Sequence, residues 1–144
     1  FEEILASSLL TAIRRARGFL FFSYPDLAHP IFDAAARERR WYNVRRAAQT
    51  LRDLEAFLLS DAAAPAVDMR VIEGEVEARG FRNDAGQDCI LLVGIGPGPC
   101  RAELKVPAAM ALTSRFQRTE STGGGRYRFE GRDICADVLC GPGN

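Results

Sequence analysis

The chain has 144 residues, 47% hydrophobic and 26% charged, and its 19 basic and 19 acidic side chains balance to a formal net charge of zero. This is ordinary globular usage at a length of about one domain, so a disordered tail, a collagen-like repeat and a disulfide-dependent miniprotein are excluded. Zero net charge removes a global field for nucleic acid or anionic lipid, and a single histidine, His29, removes a multi-histidine metal centre.

Residues 1–66 read as a helical arm or hairpin. Phe1, Ile4, Leu5, Leu9 and Ile13 recur at three-and-four spacing, the stripe of an amphipathic helix. An aromatic cluster follows, Phe19, Leu20, Phe21, Phe22 and Tyr24, closed by the turn signals Ser23-Tyr24-Pro25-Asp26 and His29-Pro30. A second helix is expected to open near Pro30 and to run through Ile31 to Ser60, with Trp41, Val44, Ala48, Leu51, Leu54 and Leu58 as its apolar line. Arg37, Arg39, Arg40, Arg45 and Arg46 surround Trp41 and Tyr42. That basic, aromatic patch suits RNA phosphate, an acidic protein face or lipid headgroups, and equally a solvated helix face. A short linker around Pro65 ends the segment.

From Asp68 the period changes to two. Strands are expected over Met69–Arg79, Cys89–Val93, Cys100–Val106, Arg126–Glu130 and Ile134–Leu139. A short helix is expected over Pro107–Phe116, with Pro107 in its first turn, and a flexible loop over Ser121–Gly125. Asn83-Asp84-Ala85-Gly86 is a turn signal, and Gly94-Ile95-Gly96-Pro97-Gly98-Pro99 reads as a hairpin turn. The latter is no dinucleotide loop: Pro97 and Pro99 remove two amide donors, and an alternating segment follows instead of a helix.

Five strands with a helix between the third and fourth resemble the OB-fold, in particular the small tRNA-anticodon-like barrels, over about Met69–Gly141. Val71-Ile72-Glu73-Gly74-Glu75-Val76 carries the likeness, with Gly74 where such strands curve and Gly131 near the last hairpin. With the helical segment, 1–66, read from its periodicity, the resemblance makes this an α+β chain that ends in a five-stranded OB-like barrel, 67–144. It also implies single-stranded nucleic-acid binding, for which the barrel offers Arg126 and Arg128. Alternation places these two outside and Tyr127 and Phe129 in the core. Glu73, Glu75 and Glu77 share one face of the first strand, a solvated stripe that Arg79, Arg101 or Arg128 would neutralise and that repels phosphate.

Chemistry is otherwise sparse. Ser7, Ser8 and Ser23 lack a nucleophile elbow and His29 lacks a local partner, so no catalytic residue is assigned and an enzyme is not expected. Cys89, Cys100, Cys135 and Cys140 form no C-x-x-C pair, so no metal and no cofactor are expected. Four small buried hydrophobes in a reducing compartment are the preferred reading; a disulfide, Cys135–Cys140 or across strands, stays open. Lys105 is the only lysine, a bias that Arg-rich codon usage explains. No run reaches the ~18–20 apolar residues of a membrane span. The chain opens at Phe1, not Met, which fits a fragment or processed form that has lost a targeting segment.

The expected function is a non-catalytic interaction or structural module with a protein partner. Its candidate contact residues are Phe19, Phe21, Phe22, Arg37, Arg40, Trp41, Arg45, Arg46, Arg126 and Arg128. The alternative is single-stranded nucleic-acid binding.

Overall fold

The computed structural model describes residues 1–19, 31 and 33–141. It is α+β, with N-terminal helices followed by strands. Helix α1 spans Glu2–Ile13, α2 Ala34–Asp53 and the single turn α3 Glu55–Leu58. Eight strands follow: β1 Asp68–Glu73, β2 Glu75–Arg82, β3 Asp88–Ile95, β4 Pro99–Lys105, β5 Thr113–Ser114, β6 Thr119–Gly123, β7 Arg126–Arg132 and β8 Cys135–Cys140. They pair antiparallel in two four-stranded sheets, β1-β4-β7-β6 and β2-β3-β8-β5.

The sheets stack and the helices cover the outer face of the second sheet, giving three layers. One apolar cluster lies between the sheets, with Ile90, Leu92, Ala102, Leu104, Tyr127, Phe129 and Leu139. The other joins α1 and the end of the helical segment to the same central sheet, through Leu5, Leu9, Leu51, Leu54, Phe57, Leu91, Val93 and Val138. The helical and β halves therefore meet in one core.

Local chemistry accounts for the helices. Glu2 and Glu3 stand at the positive end of the α1 dipole. At the other end Arg79 donates to the Ile13 carbonyl at 2.9 Å, satisfying an orphan acceptor. The second helix starts at Ala34, later than the Pro30 signal suggests, because Asp33 caps it: its carboxylate accepts from Ala36 N–H at 2.6 Å. Its buried line is Ala47, Thr50 and Leu51, continued by Leu54 and Phe57, so the expected stripe through Trp41 and Ala48 is displaced. Only the C-terminal turns of α2 enter the apolar cluster, against α1; Trp41 and Tyr42 are exposed.

The five-stranded barrel is not what the chain forms: among the described residues the strands number eight, in two sheets, and the barrel is not closed. The expected first strand is two strands in different sheets, because Gly74 breaks it at φ +70°. A Cβ there would lie 2.5 Å from the Pro99 carbonyl oxygen, so only glycine fits the crossing. The glycine-proline segment after β3 is likewise a crossing between sheets, where a hairpin was expected. It docks on the β7–β8 corner, with Gly98 N–H on the Asp133 carboxylate at 2.9 Å and Asp133 N–H on the Gly98 carbonyl at 2.7 Å.

The helix expected over Pro107–Phe116 is a turn followed by β5. Its backbone bonds go elsewhere: Tyr127 Oη accepts from Leu112 N–H at 3.0 Å and donates to the Met110 carbonyl at 3.2 Å. The loop expected over Ser121–Gly125 is the β6–β7 hairpin. The Asn83–Gly86 turn forms as expected, closed by Asn83 on both the backbone and the side chain of Gln87.

Candidate interaction surfaces

The sequence candidates do not converge on one site. Arg37, Arg40, Trp41, Arg45 and Arg46 lie on α2 in the helical layer. Arg126 and Arg128 lie on the outer face of the first sheet, on the opposite side of the sandwich. The central sheet stands between the two groups. Phe19 is half-buried against the helical core and lines a groove of about 460 Å³ with Ala48, Leu51, Leu58 and Leu59. Phe21, Phe22, His29 and Ser23 lie outside the described residues.

Within α2, Arg37, Trp41 and Arg45 follow i, i+4 spacing and share a row. The Arg45 guanidinium lies 5.9 Å from the centroid of the Trp41 ring, a cation–π distance. Trp41 is 42% exposed and Tyr42 57%, so this row presents aromatic surface flanked by charge. Arg46 does not join it; its guanidinium sits 4.0 Å over the Phe1 ring and ties α2 to the start of α1.

The face that carries Arg126 and Arg128 is charge-balanced by register. One row across the strands reads Arg70, Glu103, Arg128, Glu120; the next reads Asp68, Lys105, Arg126; a third reads Glu73, Arg101, Glu130. In the first and third rows opposite charges are cross-strand neighbours, the arrangement that stabilises a solvated sheet face; in the second Lys105 faces Arg126, and the three rows together carry equal numbers of acids and bases. Arg101 meets Glu73 with Nε and Nη2 at 2.8 and 2.5 Å. Tyr127 and Phe129 point the other way, buried between the sheets as alternation required.

The acidic stripe of Glu73, Glu75 and Glu77 is divided by the crossing at Gly74. Glu73 serves the first sheet, while Glu77 binds Arg14, the residue that caps the end of α1, at 2.5 Å and raises its guanidinium pKa through that hydrogen bond. No group of three or more metal-ligating side chains comes together among the described residues.

Sequence reading missed three features. The first is Asp137, fully buried on β8. Its carboxylate accepts from Ser114 Oγ at 2.6 Å and from the N–H groups of Phe116, Arg118 and Val138 at 3.0, 3.1 and 2.8 Å. It pins the 114–118 loop, as a buried polar group must be hydrogen-bonded. An acid in an otherwise apolar strand, Ile134–Leu139, was the available signal.

The second is a cavity of about 330 Å³ beside the C-terminus of α1, lined by Arg15, Arg17, Arg79 and Arg82 among others. Arg17 is ion-paired with Asp61, Arg82 is bidentate on Asp88 at 2.7 and 3.0 Å, and Arg79 holds Ile13, so three of the four are engaged within the chain.

The third is the pairing of the cysteines. Cys100 and Cys135 touch at 3.5 Å between the sheets, where burial, foremost, pushes the Cys100 thiol up to about 12. Gly94 and Gly131 leave the room they need. Cys89 and Cys140 touch at 3.3 Å across β3 and β8.

Compared with models of known families, with curated proteins and with solved structures, the chain matches none.

Proposed function

We propose that the chain is a non-catalytic interaction or structural module, a subunit or accessory part of a larger assembly, that docks an acidic protein surface through α2. The observation that carries this reading is the row Arg37–Trp41–Arg45, on turns of α2 that extend beyond the helical core. A 20-residue helix is about 30 Å long, and its buried residues are confined to Ala47, Thr50 and Leu51. Exposed aromatic surface beside arginine has the composition of an interface anchor.

Single-stranded nucleic-acid binding is the second reading, implied by the OB-fold resemblance and served by the same row, since an aromatic ring can stack a base while arginines hold phosphates. The balanced charge of the outer sheet face favours the protein partner: a strand-tracking groove needs a net basic stripe.

Fluorescence anisotropy across a salt series discriminates the two. The probes are a labelled Glu-rich peptide containing leucine and labelled single-stranded RNA and DNA. The expected result is binding of the peptide, weakened at least tenfold by Arg37→Glu with Arg45→Glu, and none of the nucleic acids at low salt. Tight nucleic-acid binding that falls steeply with salt and is lost in the same variant would replace the docking reading.

A further inference from the structure

Two cysteine pairs lie within thiol contact, and only one can meet a solute. Cys100 and Cys135 are sealed between the sheets, at 1% and 0% exposure. Cys140 ends β8 and is half-buried, while its partner Cys89 is fully buried behind it.

Cys89 and Cys140 are directly opposed in the β3–β8 ladder. Gly141 N–H donates to the Asp88 carbonyl, so residues 88 and 141 form the hydrogen-bonded pair and Cys89 and Cys140 the non-hydrogen-bonded one. In that position the Cα atoms approach to about 4.5 Å and the side chains lie closest, within the span that a disulfide bridges. The Sγ atoms already stand 3.3 Å apart.

We propose that Cys140 and Cys89 form a thiol–disulfide exchange site, with Cys140 the attacking sulfur, Cys89 the resolving sulfur and a small-molecule disulfide of the glutathione class the oxidant. The Cys140 thiolate attacks one sulfur of the small disulfide. That S–S bond breaks, a mixed disulfide forms on Cys140 and the first small thiolate leaves and takes up a proton. Cys89 then gives up its proton and attacks Cys140 Sγ, forming the cross-strand S–S bond and expelling the second small thiol. Two protein thiols are oxidised and one disulfide is reduced to two thiols, so atoms and electrons balance.

The surroundings agree with this division of roles. The hydrogen bond with Cys89, foremost, and the charge of Arg115 hold the Cys140 thiol below its ordinary value against the opposing effect of burial and of Asp137. The same hydrogen bond and burial push Cys89 well above that ordinary value. Arg115 follows β5, whose Thr113 is the neighbour of Cys140 on its other side, and Arg115 is ion-paired with Asp53 at 2.5 Å. The acids nearby are occupied: Asp88 by Arg82 and Asp137 by the 114–118 loop. The bond would staple the first residues of β3 to the end of β8 beside the helical core, against which Cys140 packs.

The inference stands apart from the docking reading. Its test is to equilibrate the folded chain with oxidised and reduced glutathione, trap free thiols by alkylation and weigh the product. A protease that cuts before Asp137 separates Cys135 from Cys140, and fragmentation of the linked peptides places the bond on Cys89.

The expected product has lost two hydrogens, carries the Cys89–Cys140 link, leaves Cys100 and Cys135 alkylatable only after unfolding, and melts about 5–10 °C higher. Cys89→Ser should stop at one glutathione adduct on Cys140, and Cys140→Ser should take none while folded. A wild-type chain that keeps the adduct unresolved, stays fully reduced under strongly oxidising mixtures, or links Cys100 to Cys135 first would overturn the proposal.

Discussion

The two sheets carry the same kind of strand under different cover. In β4 of the outer sheet, exposure alternates residue by residue from Pro99 to Lys105. In β3 of the central sheet, Cys89 to Gly94 are all buried. Both strands are antiparallel, so pairing does not explain the contrast. The second face does: helix α1 and the end of the helical segment lie on the central sheet, and water lies on the outer one. An antiparallel strand buried on both faces thus reads as a continuous apolar run, a pattern usually associated with parallel sheets.

Substitutions at an outward-facing position of each sheet test the contrast in cover. Leu91→Ala, on the face of β3 that meets the helices, should cost about 2–5 kcal/mol in denaturant unfolding. Arg128→Ala, on the wet face of β7, should stay within about 0.5 kcal/mol. Comparable losses at the two positions would mean that the helices do not seal the central sheet.

Asp137 bears on the same contrast, because a polar side chain is stable in a buried layer only through its hydrogen bonds. Asp137→Ala leaves the N–H groups of Phe116 and Arg118 without their acceptor, at a cost of about 1–3 kcal/mol. Hydrogen exchange at those two amides should accelerate more than exchange at Leu91.

Gly94→Ala probes the packing between the sheets. The added Cβ would meet Cys100 Sγ and, at 2.9 Å, Cys135 Sγ. Overpacking of this kind costs about 1–3 kcal/mol. A double-mutant cycle with Cys100→Ala should recover part of the loss; strict additivity would show that the thiol is not what the methyl meets.

The smallest effect belongs to the helix–loop contact at the surface. A hydrogen bond from Arg115, joined by one from Gln49, holds the Asp53 carboxyl below the usual carboxylate range. With the folded pKa depressed, the contribution is complete above the unfolded value of ~3.9 and disappears as pH falls through the lower folded one. Asp53→Asn should lower stability slightly at neutral pH, by no more than about 1 kcal/mol for so exposed a pair, and converge with the wild type below the folded pKa, flattening the acid limb of the stability curve.

Much of the β half was legible in the residues because alternation is local. Tyr127 and Phe129 inside, with Arg126 and Arg128 outside, needed no knowledge of the partner strands. Short edge strands such as β5 and the polar β6 bury too little to leave that signature. The contact surfaces were harder to read. The arginines around Trp41 were visible as a cluster, but nothing in the sequence said that Arg46 would turn to Phe1 or that Arg126 and Arg128 would face away from the helices. Cys89 and Cys140, far apart in the chain, could be recognised as neighbours only once β3 was known to pair with β8.

The change from helical to strand periodicity near Asp68, the positions of most strands and the alternation of buried and exposed side chains along them are written in the order of residues. These follow from the interaction of each residue with its chain neighbours and with solvent. The division of the strands into two sheets at Gly74 and at the glycine-proline corner emerges only on folding. The same holds for the helices sealing the central sheet and for the pairing of the four thiols. Those outcomes depend on contacts between segments that meet only after the chain has folded, and such contacts leave no periodic trace in the order of residues.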